Sequence, residues 1–262
     1  MSKPLIDPKT HKDWVSPHSH AWYAQLARLT GKYSYSWNST LTEPNGESIF
    51  TDEVSRMVRG KQVLDIGCGH GEFAMQWSPV AKQVVGIDIT DDFIKAGNNA
   101  NVKNVSFVQA NTKNTLPFDA EQFDCAYNRR GPTSAYLDIK RVIRKGGRIL
   151  ALHPGDALMN ELPGWFPHFF ERHPEGTPIK DHITERLDRG GCADAEIEAI
   201  RSIEYFHEPV DIIRMRCFGQ KPSVFEMVLE ESLTEMTRIF EKHATEKGLP
   251  ATLERYIVRV QL

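Results

Sequence analysis

Val63-Leu64-Asp65-Ile66-Gly67-Cys68-Gly69-His70-Gly71 is the stretch whose reading decides the fold. An apolar run followed by glycines at alternate positions describes a buried strand ending in a sharp turn. Glycine reaches left-handed backbone angles and leaves bare main chain for a ligand to lie against. The pattern predicts a strand over 61–66 and, after the turn, a helix that stops near Pro79. Glycine turns after strands are common, so this loop alone does not separate a binding site from a tight turn. The next apolar run, Gln83-Val84-Val85-Gly86-Ile87-Asp88, supplies the second feature. Asp88 stands 21 residues after Gly67 at the end of its strand, where a carboxylate can accept from both hydroxyls of a ribose.

A nicotinamide or flavin dinucleotide is the obvious competitor for such a site. Its fingerprint, G-x-G-x-x-G/A, needs a small residue for close helix–strand packing where this sequence has Glu72. The third glycine falls instead at Gly71. Asp65, inside the strand end, answers to no pyrophosphate and suits a ligand that carries an ammonium group.

Outward from this centre, Val105–Val108, Phe123–Tyr127 and Arg148–Leu152 read as further strands. Thr90 suits a helix N-cap with Asp91 and Asp92 in the first turn, Pro132 suits a first helical position, and Gly146-Gly147 a helix stop. Strands alternating with helices imply a parallel sheet covered on both faces. The flanks differ. Ser16 and Pro17 are read as opening a helix that Gly31 ends, and a second helix closes near Gly60. Ser223 and Glu226 read as a capping box at the start of a long helix ended by Gly248 and Pro250. Tyr256–Leu262 alternates as a strand, and residues 156–222 hold a helix near 180–189 and a strand within 195–207.

The quoted run resembles the first motif of the class I S-adenosylmethionine-dependent methyltransferases, and Val84–Ile89 resembles their second. Leu116-Pro117-Phe118-Asp119-Ala120-Glu121-Gln122-Phe123-Asp124 is similar to the stretch leading into their fourth strand, and Arg144–Leu150 to the turn into their fifth. The four matches stand in the family's order over about residues 61–155. The resemblance implies a Rossmann-like, doubly wound, mostly parallel seven-stranded sheet with an antiparallel C-terminal strand. It implies residues 61–262 as the methyltransferase domain, 1–60 as a helical cap and 156–222 as a substrate-cap insertion. The implied cofactor is S-adenosylmethionine, with Gly67, Cys68 and Gly69 beneath it and Asp65 near its amino-acid end. Asp88 would hold the ribose, Ile89 would pack on the adenine, and Asn128 would offer its backbone carbonyl to the ammonium. Asn111, beside Thr112, stands where many members have an Asp that accepts from the adenine amino group, and an amide oxygen accepts as well.

Methyl transfer asks mainly for positioning, so a base is needed only where the acceptor must first lose a proton. His153, at the end of the fifth strand, is the candidate base, against a purely structural role. Arg129 and Arg130, beyond strand four, can clamp a carboxylate or phosphate of the acceptor or form ordinary ion pairs. Tyr33, Tyr35 and Trp37 can wall an acceptor pocket or simply pack, and core is the favoured place for the Trp165–Phe170 cluster. His18 and His20 lack companion ligands, so no metal is expected.

A net charge of −3 gives no general attraction to nucleic acid or anionic membrane. No basic stripe is visible, and Asn128–Gly131 lacks the Asn/Asp-Pro-Pro-Tyr/Phe signature of exocyclic base methylation. A small-molecule acceptor, anionic if the arginines touch it, is therefore expected ahead of RNA or protein; a non-catalytic cofactor-binding sensor or scaffold stays open. Four scattered cysteines without a C-x-x-C pair suit reduced thiols. The polar Met1–Lys12 is unlike a signal peptide, and no run of about 18 apolar residues exists, so a cytoplasmic protein is expected.

Overall fold

The computed structural model describes residues 4–262, so the first residues of the 1–60 segment and of Met1–Lys12 lie outside it. Among the described residues eight strands form: β1 (Ser39–Leu41), β2 (Gln62–Ile66), β3 (Gln83–Asp88), β4 (Val105–Gln109), β5 (Phe123–Arg129), β6 (Ile143–Pro154), β7 (Glu196–Phe206) and β8 (Leu249–Gln261). Their hydrogen-bonded order is β1-β7-β8-β6-β5-β2-β3-β4. The pairs β2/β3, β3/β4, β2/β5 and β5/β6 are parallel, and β8 runs antiparallel to β6. The fold is α/β and Rossmann-like as expected, with β1 joining the expected strands as an eighth.

Two compact units divide the chain. One comprises residues 46–156, 176–200 and 255–262. Here β2 is buried along Val63–Ile66, as a strand covered on both faces must be. Val63, Val84, Cys125 and Tyr127 pack with Phe50 and Val54 of the helix Gly46–Met57. Leu64, Ile66, Val85, Ile87 and Ala126 pack on the other side with Ile139, Val142, Ile183 and Leu187. From β2 the chain proceeds to β3 and β4 on one side, then returns to β5 and β6 on the other. That reversal makes the carboxyl end of β2 the topological switch point, where open α/β sheets bind ligands.

The other unit comprises the described part of 1–45 together with 157–175 and 201–254. Its core joins Phe166, Phe169, Phe206, Ile212, Ile213, Val224, Val228 and Met236. The first unit opens at Gly46, and Phe50, Val54 and Val58 bury themselves in its core.

Several local expectations are corrected. The first helix is His20–Thr30, and Ser19, not Ser16, caps it by accepting from Trp22 N. The helix after the glycine turn is only Glu72–Met75. Pro132 precedes a 3-10 turn (Thr133–Leu137), and β6 already starts at Ile143, with Gly146 in a left-handed conformation within it. The long helix is Pro222–His243; Ser223 spends its hydroxyl on Asp13 instead of closing a capping box. A capping box does form at Glu208/Asp211.

Candidate cofactor site and its surroundings

The glycine turn is anchored to the end of β3: the Gly67 and Cys68 amides donate to Ile87 O at 2.8 and 3.0 Å. Gly67 has φ +73°, and a Cβ there would lie 2.7 Å from Gly131 Cα in the loop after β5. The turns after β2 and β5 therefore touch glycine to glycine. Gly71, with φ +84°, presses against the Phe107 ring, which leaves a Cβ no room. The third glycine thus lets the short helix seat on β4.

Asp88 ends β3, where its two oxygens accept from Gly69 N at 3.1 Å and Thr90 N at 2.8 Å. Its carboxylate is thereby fixed at the rim of the turn, with lone pairs to spare. Asp65 is 2% exposed. Burial pushes its pKa up to about 7; the Tyr127 hydroxyl and Arg129 guanidinium oppose the rise and the Asp88 carboxylate adds to it. Asp65 Oδ2 is a buried acceptor with no hydrogen-bond partner among the described residues. A ligand ammonium is the group that would satisfy it, so the residues present fit S-adenosylmethionine. Burial and the same two carboxylates push the Cys68 thiol well up, so it is inert as a nucleophile.

Asn128 is fully buried at the end of β5, where Oδ1 accepts from Gly131 N at 2.6 Å and Nδ2 donates to Pro132 O at 3.2 Å. It shapes the turn that meets Gly67. Thr112 is buried with its hydroxyl 2.6 Å from that of Ser134. Asn111 is exposed and its Oδ1 accepts from Lys113 N at 3.0 Å, which leaves one lone pair of that oxygen. Ile89 is partly buried, and its carbonyl accepts from the Gln109 side chain.

Arg129 and Arg130 converge on Glu47, in the first turn of the helix Gly46–Met57, at 2.9 and 3.3 Å, with Arg255 at 3.8 Å. Burial would raise the Glu47 carboxyl, but the Arg130, Arg129 and Arg255 guanidiniums outweigh it and hold it low. Arg129 also lies 4.6 Å over the Phe73 ring. His153 is buried, its Nε2 is 2.7 Å from the Tyr136 hydroxyl, and burial pushes its pKa down to about 4. It is neutral near pH 7. Tyr33, Tyr35 and Trp37 lie in the other unit, where all three set rings edge-on to Phe218 and Tyr35 stacks on Trp37 at 4.2 Å. Among the described residues no group of three or more His, Cys, Asp or Glu is placed to hold a metal ion.

A family profile described as a methyltransferase domain matches residues 58–191, just over half of the chain. The chain belongs to the class I S-adenosylmethionine-dependent methyltransferases. S-adenosylmethionine is the cofactor of this family member. The ubiquinone/menaquinone biosynthesis C-methyltransferase UbiE of Serratia proteamaculans is 35% identical over 127 residues, 43% of this chain and 50% of that one. The chain thus spans about half the length of the curated relatives it matches. A functionally unknown protein from Deinococcus radiodurans R1 superimposes with TM-score 0.60 at 22% identity, over 93% of this chain and 100% of that one. YcgJ of Bacillus subtilis does so with TM-score 0.51 at 18% identity, over 80% and 97%. These two likenesses show the shared fold and nothing beyond it.

Sequence reading missed Glu47, Tyr127, Gly131, Ser134 and Arg255. Gly131 stood only as the end of the Asn128–Gly131 edge, with no sign of its partner. Glu47 pairs with an arginine 82 positions away, and no local pattern announces such a contact.

Proposed function

We propose that this chain transfers the methyl group of S-adenosylmethionine to a small-molecule acceptor in the cytoplasm. The carrying observation is the meeting of the glycine turn, Asp65 and Asp88 at the switch point of the sheet. In this reading Gly67, Cys68 and Gly69 form the floor of the cofactor site, and Asp65 and the Asn128 carbonyl receive its ammonium. Asp88 takes the ribose hydroxyls, Ile89 covers the adenine, and Asn111 with Thr112 lines its edge. When bound, the cofactor supplies a sulfonium-activated methyl group, so the protein's part is orientation and the exclusion of water. The names of the relatives point to a carbon acceptor of quinone type. Four free cysteines, three of them buried, agree with a reducing compartment. Among the described residues no helix is long and apolar enough to cross a membrane.

Arg129 and Arg130 line the acceptor edge while sharing Glu47. His153 enters as a base only for an acceptor that must lose a proton. Its bond to Tyr136 supports a second role, holding the 133–137 turn.

Calorimetry with S-adenosylhomocysteine tests the reading directly. The demethylated cofactor is expected to bind and NAD is not; the reverse result overturns the assignment. Methyl transfer is then read by mass spectrometry on reduced quinones and phenols. Asp88→Ala is expected to weaken cofactor binding by about 1.5–3 kcal/mol, the loss of charge-assisted hydrogen bonds. Unchanged affinity would remove Asp88 from the site. Arg129→Ala combined with Arg130→Ala is expected to leave cofactor affinity at pH 8 unchanged and to lower turnover by about tenfold or more. Equal turnover would reduce the two arginines to the ion pairs they make with Glu47.

A further inference from the structure

The cofactor reading assigns Asp65 to the ammonium and leaves two features unexplained. One is why a carboxyl that must face a cation lies in so dry a place. The other is Tyr127, fully buried in β5, whose hydroxyl has no partner among the described residues apart from the Asp65 carboxyl. The strand register joins them: Asp65 of β2 stands opposite Tyr127 of β5. Cross-strand neighbours in that register project to the same face of the sheet. Tyr127 is then enclosed by Phe50 and Phe73, whose rings meet its own edge-on at 6.5 and 5.5 Å. The Tyr127 hydroxyl and the Asp65 carboxyl thus face each other in the sheet interior, and apart from each other neither Asp65 Oδ2 nor Tyr127 Oη has a partner among the described residues. Buried polar atoms of this kind are rare and call for a partner.

We propose that Asp65 and Tyr127 form one seat for the ammonium group of the cofactor, and that filling this seat expels a proton from Asp65. The inference rests on the cofactor reading above. The exchange balances: a neutral carboxyl and an ammonium become a carboxylate–ammonium ion pair, and the proton passes to the buffer. No electron moves and no covalent bond forms between protein and ligand. The groups that face Asp65 are Tyr127 and Arg129 from β5, Asp88 from the end of β3, and Cys68 from the turn. Burial outweighs the two that favour ionisation, so the empty seat keeps its carboxyl partly protonated near neutrality. An incoming cation tips that balance. Tyr127 contributes by favouring the ionised carboxyl, which makes it a binding residue that the family motif does not contain.

Titration of the intact protein with S-adenosylhomocysteine in phosphate and in imidazole, two buffers with different ionisation enthalpies, counts the protons. Release is expected to be about one half per ligand at pH 7 and close to one at pH 6, and affinity to fall roughly tenfold from pH 7.5 to pH 6.0. Binding with no proton release and a flat pH profile overturns the inference while leaving the cofactor reading intact. No binding at any pH overturns the cofactor reading itself. Asp65→Asn is expected to abolish the proton release; should that variant fail to fold, the measurement on the parent protein already decides. Tyr127→Phe is expected to keep the release and move its midpoint to higher pH, and an unmoved midpoint removes Tyr127 from the seat.

Discussion

In the absence of ligand, Asp65→Asn is expected to be more stable than the parent protein at pH 8, with the difference shrinking steadily as pH falls from about 7 toward about 4. Burial holds the Asp65 carboxyl at about 7 in the folded protein, against an ordinary 3.8 in the unfolded chain. For a group whose folded value is raised, the stability it contributes is complete below the unfolded value and is lost as pH rises through the folded one. The window runs from about pH 4 to about pH 7 and corresponds to roughly 4 kcal/mol. The amide has no charge to desolvate, but its N–H groups need acceptors, so a net gain of about 2–4 kcal/mol is expected. Urea unfolding followed by tryptophan fluorescence at pH 5, 6, 7 and 8 measures it, and parallel curves for the two proteins would show that Asp65 does not titrate where its burial places it. Saturating S-adenosylhomocysteine is expected to reverse the ranking at pH 8, because only the parent gains fully from the ligand. The site is thus less stable when empty than a neutral side chain would make it, and that deficit is what the cation recovers.

The second large effect lies at His153 and has the opposite sign. Burial holds its folded value near 4, well below the ordinary 6.5. Stability from a depressed group is complete above the unfolded value and is lost as pH falls through the folded one. Between pH 6.5 and pH 4 the unfolded chain takes up a proton that the folded protein refuses, a difference of about 3 kcal/mol. His153→Gln can still bond the Tyr136 hydroxyl and carries nothing to protonate. Its melting temperature is therefore expected to decline less between pH 7 and pH 4.5 than that of the parent. An equal decline in both would place the acid sensitivity elsewhere.

The centre of the fold was legible because its signals are local. Val63–Gly71 and Val84–Asp88 each carry a buried strand and its exit within a few residues, and Asp88 announces itself by its distance from the turn. Helix and strand ends were less legible because competing hydrogen bonds decide them. Ser19 rather than Ser16 reaches the free amide of Trp22, and Ser223 is drawn to Asp13. The opening of β6 at Ile143 follows from its pairing with Phe123, which the sequence around Gly146 does not encode. What stayed hidden in the site depends on register or on long-range contact. Tyr127 reads as one more apolar strand residue until the alignment of β2 with β5 sets it opposite Asp65. Glu47 reads as an ordinary acid in the first turn of a helix until three arginines gather on it.

The contact between Gly67 and Gly131 bears on how such a protein can change. One glycine belongs to the turn proposed to take the methyl donor, the other to the loop proposed to face the acceptor. Neither tolerates a side chain: a Cβ on Gly67 would lie 2.7 Å from Gly131 Cα, and one on Gly131 would lie 2.4 Å from Ile66 O and 2.7 Å from Asn128 Oδ1. Donor and acceptor edges are therefore not separate modules. A new acceptor loop grafted after β5 has to bring its own glycine at this point, or it wedges open the turn that every acceptor shares.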